Sequence, residues 1–141
     1  MTYFADTAFW IALLLARDQY HAQAVAWRSY LARSKANVVT SQAVLWELLN
    51  ALGSPSSRGA AAHFYSDALR SPELEVIELS PEQIEEAVQL YVRHGDKEWS
   101  LTDCHSFALM RRRNLTQALT ADHHYAQAGY PALLLQPPPQ G

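Results

Sequence analysis

One cysteine, Cys104, stands in a chain of 141 residues. No internal disulfide can form, and no zinc site built from several thiolates is available. A reduced compartment is the default expectation. Positive charge is scarce. Eleven Lys and Arg against fourteen Asp and Glu leave a net charge of -3. Polyanion binding through bulk charge is thereby excluded, so any nucleic-acid contact needs a local basic patch or a bound cation. Charged residues reach only 18%, against 49% hydrophobic, which excludes a disordered tail and argues for a compact globule. Long apolar runs are missing too. Phe9 to Ala16 falls far short of the roughly 20 residues a membrane span needs. The leading segment, Met1 to Asp6, carries an acid where a signal peptide carries positive charge. The chain reads as cytoplasmic and complete from its first residue. Neither a Gly-x-Ser-x-Gly elbow nor a phosphate-cradling glycine loop is present.

Residues 1–135 read as one domain, since a length near 150 predicts one core. Residues 136–141, Gln-Pro-Pro-Pro-Gln-Gly, read as an extended, frayed tail. Within the domain, short apolar runs alternate with helical patterns. Tyr3-Phe-Ala, Asn37 to Thr40, Leu74 to Leu79, Ala118 to Thr120 and Ala132 to Leu135 read as strands. Thr7 to Arg17 reads as a buried helix, and Tyr20, Ala24, Trp27 and Leu31 recur at helical spacing. Ser41 is positioned to cap a helix carrying Leu45, Leu48, Leu49 and Leu52. Ser80-Pro-Glu-Gln83 predicts a helix start, with Pro81 at the first position and Gln83 completing a capping box. Further helices are expected over Ala60 to Leu69, Thr102 to Arg112 and Asp122 to Gln127. Strands alternating with helices predict an α/β protein with a parallel sheet covered on both faces.

Four acids fall at telling places. Asp6 ends the first strand. Glu47 lies in the early turns of the helix after the second. Asp103 opens the helix near Thr102, and Asp122 follows the strand ending at Thr120. In an open parallel sheet these positions share one edge, where α/β proteins build their sites. Taken singly, Asp6, Asp103 and Asp122 also suit helix capping, and Ser100-Leu-Thr-Asp103 fits a capping box. Glu47 lies past the useful capping positions, and a solvent-facing role stands open beside a functional one. Taken together, converging carboxylates repel unless a cation separates them. Mg²⁺ or Mn²⁺ prefers hard oxygen ligands and assists phosphoryl transfer. A metal-dependent nuclease or phosphoryl-transfer site is therefore the natural hypothesis.

The motifs resemble those of PIN-domain ribonucleases, in particular the VapC-type toxins of toxin–antitoxin pairs. The resemblance runs from Phe4-Ala-Asp-Thr7 through Ala128-Gly-Tyr130. It rests on the opening Asp-Thr, on Asp18-Gln-Tyr-His21, and on Glu47-Leu-Leu-Asn50. The block from Asp96 to Met110 and the closing Leu119-Thr-Ala-Asp-His-His-Tyr complete it. The resemblance implies a three-layer α/β/α fold with a central, mostly parallel sheet. It implies catalytic and metal-holding roles for Asp6, Glu47, Asp103 and Asp122 with Mg²⁺ or Mn²⁺. It also implies hydrolysis of RNA phosphodiesters to 5′-phosphate and 3′-hydroxyl ends, a homodimer, and a cognate antitoxin whose segment covers the acid site. A non-cleaving PIN-like module that holds RNA or protein is the alternative, and a phosphatase of another α/β fold is a third reading.

Accessory roles attach to Asp96, Thr7 and Ser100, each with a simpler loop or capping role beside it. Thr102 and Thr120 read as caps. Arg111, Arg112 and Arg113 form the one basic run, suited to RNA phosphate, to an acidic antitoxin, or to the negative end of a helix. Lys97 and Arg58 are lesser candidates of the same kind. His105, His123 and His124 are expected in surface or packing roles, because adjacent helical residues point apart. Trp46 or Trp99 could stack on a base, or an exposed aromatic could serve a protein interface.

Overall fold

The computed structural model describes residues 1–140; Gly141, the end of the expected tail, lies outside them. The chain runs β1 (Thr2–Ala5), α1 (Thr7–Leu14), α2 (His21–Ser34), β2 (Asn37–Ser41), α3 (Gln42–Ala51) and α4 (Arg58–Arg70). It continues through β3 (Leu74–Ile77), α5 (Pro81–Arg93), α6 (Leu101–Arg112), β4 (Ala118–Leu119) and α7 (His123–Gln127). The four strands form one sheet in the order β3-β2-β1-β4, parallel throughout. Parallel neighbours need crossovers, and every crossover here carries helices, so the α/β architecture follows from the alternation in the sequence.

Register decides where the polar residues go. Phe4 lies opposite Val39 on one side and Ala118 on the other, and Ala5 pairs with Leu119. The carboxyl ends of β1, β2 and β4 therefore share one edge. Just below that edge, Thr40 is buried but satisfied: its hydroxyl donates to the Ala5 carbonyl at 2.8 Å and accepts from Trp10 Nε1 at 3.2 Å. That bond ties the end of β2 to the end of β1. Ser41 then caps α3, accepting from the Val44 N–H at 3.0 Å.

Asp18 and His21 close the turn between α1 and α2. Asp18 Oδ1 accepts from the Tyr20 N–H, and His21 Nδ1 lies 2.7 Å from the Ala12 carbonyl. A ladder of edge-on aromatic pairs, Trp99 to Phe107 to Tyr125, ties the loop before α6 to α6 and then to α7. Such contacts add about 0.5–1.5 kcal/mol each beyond area burial. They hold the short α7 in place beside the sheet edge.

Two expectations need correction. Ala132 to Leu135 is not a strand. Ala132 makes a single parallel bridge to Ala118, and Leu133–Leu135 curls into a 3₁₀ turn. Pro131 before it and the prolines after Gln136 lack the N–H donors that a ladder needs. The segment still buries Leu133 and Leu134, which is why its pattern looks strand-like. At Gln136, where the expected tail begins, the carbonyl accepts from Trp27 Nε1 at 3.0 Å. Second, Ser80 caps α5 as expected, but Gln83 does not complete the box. Its Oε1 lies 2.8 Å from His105 Nε2 on α6, a contact between helices rather than within one.

Candidate metal centre and active site

Asp6 stands at the start of α1, immediately after β1. It occupies the capping position yet makes no capping hydrogen bond to the first turn. Its Oδ2 instead accepts from the buried Thr120 hydroxyl at 2.9 Å. Thr120 Oγ1 in turn accepts from the Asp122 N–H at 3.0 Å. One hydroxyl thus joins the carboxylate after β1 to the backbone of the acid after β4. Parallel pairing of Ala5 with Leu119 makes this contact possible. Thr120 does not cap the helix; it links two of the four acids.

Asp103 reaches the same place from the first turn of α6. Its Oδ2 accepts from the Ser100 N–H at 3.0 Å, and Ser100 Oγ accepts from the Asp103 N–H, also at 3.0 Å. The expected capping box is therefore present. Asp122 caps α7, accepting from the His124 N–H at 2.9 Å. The His124 ring lies between the two acids, with Nδ1 2.9 Å from Asp122 Oδ1 and 3.6 Å from Asp103 Oδ2. Asp6, Asp103 and Asp122 accordingly share one site.

Burial makes these carboxylates unusual. Asp6 is 4% exposed, and burial pushes its carboxyl up to about 7, against the Thr120 hydroxyl, the Thr7 N–H and Tyr125; the charge of Asp103 adds to the rise. Asp103 is also raised, mainly by burial and further by Asp122, with Ser100 and His124 opposing. Three hydroxyls are buried near this edge: Thr7 Oγ1, which has no hydrogen-bond partner, and Ser106 Oγ and Tyr125 Oη, which lie against each other. The Tyr125 ring is fully buried, and burial beside Asp6 and Asp103 holds its hydroxyl well above the ordinary value. Buried acceptors without enough positive charge, beside buried hydroxyls, fit a hydrated divalent cation.

Glu47 stands apart. It is half-buried in the second turn of α3, and no hydrogen bond or ion pair among the described residues links it to the other three. Asp96 is exposed and 3.6 Å from Lys97 Nζ, in the loop between α5 and α6. Arg112 pairs with Glu86, and Arg113 with both carboxylate oxygens of Glu75. Arg111 lines a groove with Glu86, Gln89 and Tyr130. The run lies at the far end of α6 from Asp103, about 12 Å along the axis. Arg58 opens α4 and is exposed.

Trp99 is 8% exposed and packed on Phe107 and His94, so it is not free to stack on a base. Trp46 is 74% exposed. Cys104 is buried in the core, and His105 is buried against Gln83, a packing role. His123 and His124 depart from expectation. Their rings lie 4.2 Å apart rather than pointing away from each other. Three residues of this edge escape sequence reading: Thr120 as a link, Tyr125 as its floor, and His124 as a bridge. The Thr-x-Asp-x-His-Tyr spacing was the one available signal.

The PIN domain family matches residues 3–129, and the chain belongs to that family. It is 34% identical over 131 residues to the 23S rRNA-specific endonuclease VapC20 of Mycobacterium tuberculosis, covering 90% of this chain and 94% of the relative. The crystal structure of that protein, a sarcin–ricin loop cleaving toxin, superposes with a TM-score of 0.81 at 32% identity. The match covers 93% of this chain and 98% of the other. VapBC2 of Rickettsia felis, bound to a DNA fragment from its promoter, shares the fold with a TM-score of 0.66 at 15% identity, over 91% and 93% of the two chains. FitAcB of Neisseria gonorrhoeae does so with a TM-score of 0.64 at 17% identity, over 91% and 94%.

Proposed function

We propose that this chain is a divalent-metal-dependent endoribonuclease, the toxin of a type II toxin–antitoxin pair. The observation that carries the reading is the convergence of Asp6, Asp103 and Asp122 on one edge of the sheet, two of them buried and raised. A module that only binds RNA or protein has no use for buried carboxylates held this way, since each costs stability while unpaired.

Asp6, Asp103 and Asp122 would hold Mg²⁺ or Mn²⁺, and Glu47, in the second turn of α3, is the fourth acid of the set. When bound, the cation supplies a Lewis acid for the phosphodiester and neutralises charge on the departing 3′-oxygen. The chain's own groups set the geometry. Thr120 fixes Oδ2 of Asp6 and leaves Oδ1 for the site. Ser100 fixes Oδ2 of Asp103 in the same manner. Thr7, at the head of α1, has an unpartnered hydroxyl beside Asp6. A carboxylate of this set accepts the proton of the attacking water, and attack in line leaves 5′-phosphate and 3′-hydroxyl ends.

The relationship to VapC20 makes the sarcin–ricin loop of 23S rRNA the first substrate to test. Arg111, Arg112 and Arg113 serve RNA phosphates beyond the scissile one, Arg111 foremost, because its neighbours already face Glu86 and Glu75. The chain acts in the cytoplasm, where that substrate lies; no described helix is long and apolar enough to cross a membrane. Exposed apolar residues on α3 and α5, Trp46, Ile84, Val88 and Val92, suit a second copy of this chain, and an antitoxin segment covers the acid edge.

The test is cleavage of ribosomal RNA by the purified, partner-free chain, with Mg²⁺, with Mn²⁺ and with chelator. Metal-dependent cutting with 5′-phosphate ends, lost in Asp6→Asn and Asp103→Asn, supports the reading. Equal cutting by wild type and both variants would sink it.

A further inference from the structure

We propose that His124 is a direct metal ligand, so that this site takes a first-row transition cation in preference to Mg²⁺. The inference rests on the acid edge holding a divalent cation, and it concerns which one.

Adjacent residues on a long helix point about 100° apart. Here α7 has only five residues, and His123 and His124 are its first two. Asp122 caps it and holds the backbone N–H of His124. The outcome is a group of donors at one place. His124 Nδ1 lies 2.9 Å from Asp122 Oδ1 and 3.6 Å from Asp103 Oδ2, and His123 Nδ1 lies 3.8 Å from Asp122 Oδ1. One donor atom each from Asp122, His123 and His124 fall within 4.8 Å of one another. Donors that share a cation at about 2.1 Å sit roughly 3–4.2 Å apart, so the separations of His124 Nδ1 from the two acids suit a common ion.

The contacts are close without being satisfied. His124 Nδ1 is buried and has no hydrogen-bond partner, although Asp122 Oδ1 is 2.9 Å away. That oxygen already accepts from the His124 N–H. A second buried group points the same way. The Tyr125 hydroxyl, in a fully buried side chain, lies against Asp6 and near Asp103. An ion between Asp103, Asp122 and His124 gives the ring nitrogen and both carboxylates a shared partner.

Donor chemistry then decides the ion. Mg²⁺ is hard, keeps its waters and gains little from imidazole. Imidazole nitrogen favours first-row transition ions, whose affinities at nitrogen and oxygen sites rise along the series from Mn²⁺ to Cu²⁺. Of the two cations the acid edge suits, nitrogen selects Mn²⁺. His123 stays on the exposed rim, 3.8 Å from Asp122 Oδ1 and with no contact to Asp103, so the nitrogen donor is His124.

The test uses the full chain, stripped with chelator and carrying no histidine tag. Pulsed electron paramagnetic resonance on the Mn²⁺-loaded protein reads coordinated imidazole directly through ¹⁴N modulation. Calorimetry compares Mn²⁺ with Mg²⁺. Nitrogen modulation is expected in wild type and in His123→Ala, and lost in His124→Ala. Mn²⁺ should bind at least roughly tenfold tighter than Mg²⁺, and His124→Ala should erase that preference while Mg²⁺ binding holds. Wild type is informative alone: Mn²⁺ bound without nitrogen modulation overturns the role of His124. If neither ion binds wild type, or Asp103→Asn binds as wild type does, the acid edge itself has been misread, which is a separate failure.

Discussion

The acid edge beside β1 and β4 and the apolar face of α3 and α5 invert ordinary burial in opposite senses. At the edge, two carboxylates, Thr120 and the Tyr125 hydroxyl are out of water. On the face, Trp46, Ile84, Val88, Tyr91 and Val92 are in it. Both arrangements work against stability. Buried charge without a partner is costly, and exposed apolar area leaves hydrophobic free energy unused. Departures of this kind gather where another molecule completes the structure. The two differ in scale. The edge lacks point charge, which a cation of ångström size supplies. The face lacks cover, which takes the area of a protein.

The comparison breaks most sharply at Asp103. Asp103→Asn keeps the size of the side chain and should keep the fold, while cleavage falls by roughly 10²–10³-fold, the scale of losing one transition-state stabiliser. Unchanged circular dichroism with unchanged turnover would remove Asp103 from the chemistry.

Asp6→Asn should reveal the cost of burying charge. Asp6 has an ordinary value of 3.8 and one of about 7 in the fold. Between these values the folded chain holds more protons than the unfolded one, so Asp6 makes stability fall as pH rises, levelling off above about 7. Asparagine has no such slope. In chelator, the melting temperature of Asp6→Asn should match wild type near pH 4. It should exceed wild type by about 5 °C or more at pH 8. A difference that stays flat with pH contradicts the assignment, and excess Mn²⁺ should shrink it by stabilising wild type alone.

Thr120→Val removes the link between Asp6 and the Asp122 N–H and should cost about 1–3 kcal/mol in denaturant unfolding, with Thr120→Ser recovering most of it. No loss in Thr120→Val would mean that the hydroxyl does nothing beyond filling space.

On the apolar face the expected stability change is small. Val88→Glu should alter monomer stability by no more than about 0.5 kcal/mol, since Val88 is exposed. It should nonetheless abolish self-association in sedimentation. Association that survives both this and Ile84→Glu assigns the face to another partner. Arg113→Ala is the smallest change, a loss of at most about 1 kcal/mol from an exposed pair with Glu75.

Much of the fold is legible along the chain because its signals are local. Ser41 and the Ser100–Asp103 box cap helices through contacts three residues away. The apolar spacing of α2 and α3 repeats within two turns. Strand ends followed by Asp6 and Asp122 mark the edge of a parallel sheet where α/β proteins build their sites. Where reading failed, a partner distant in sequence decided the outcome. Gln83 turns from its own helix end to His105, and the prolines around Leu133–Leu135 stop a strand that its apolar run resembles.

What the sequence determined by itself is the order of elements as far as α7, the placing of four acids at strand ends and in the early turns of helices, and the family. Tertiary structure alone decided which of those acids meet. Residues 6, 103 and 122 converge through sheet register and the packing of α6, and Glu47 is not tied to them. It also buried Trp99, left Trp46 in water, paired Arg112 and Arg113 with carboxylates, and set His124 between two acids. The reason is physical. Secondary structure depends on neighbours a few bonds away, which spacing records, whereas a side chain's burial and partners depend on segments brought beside it only by folding.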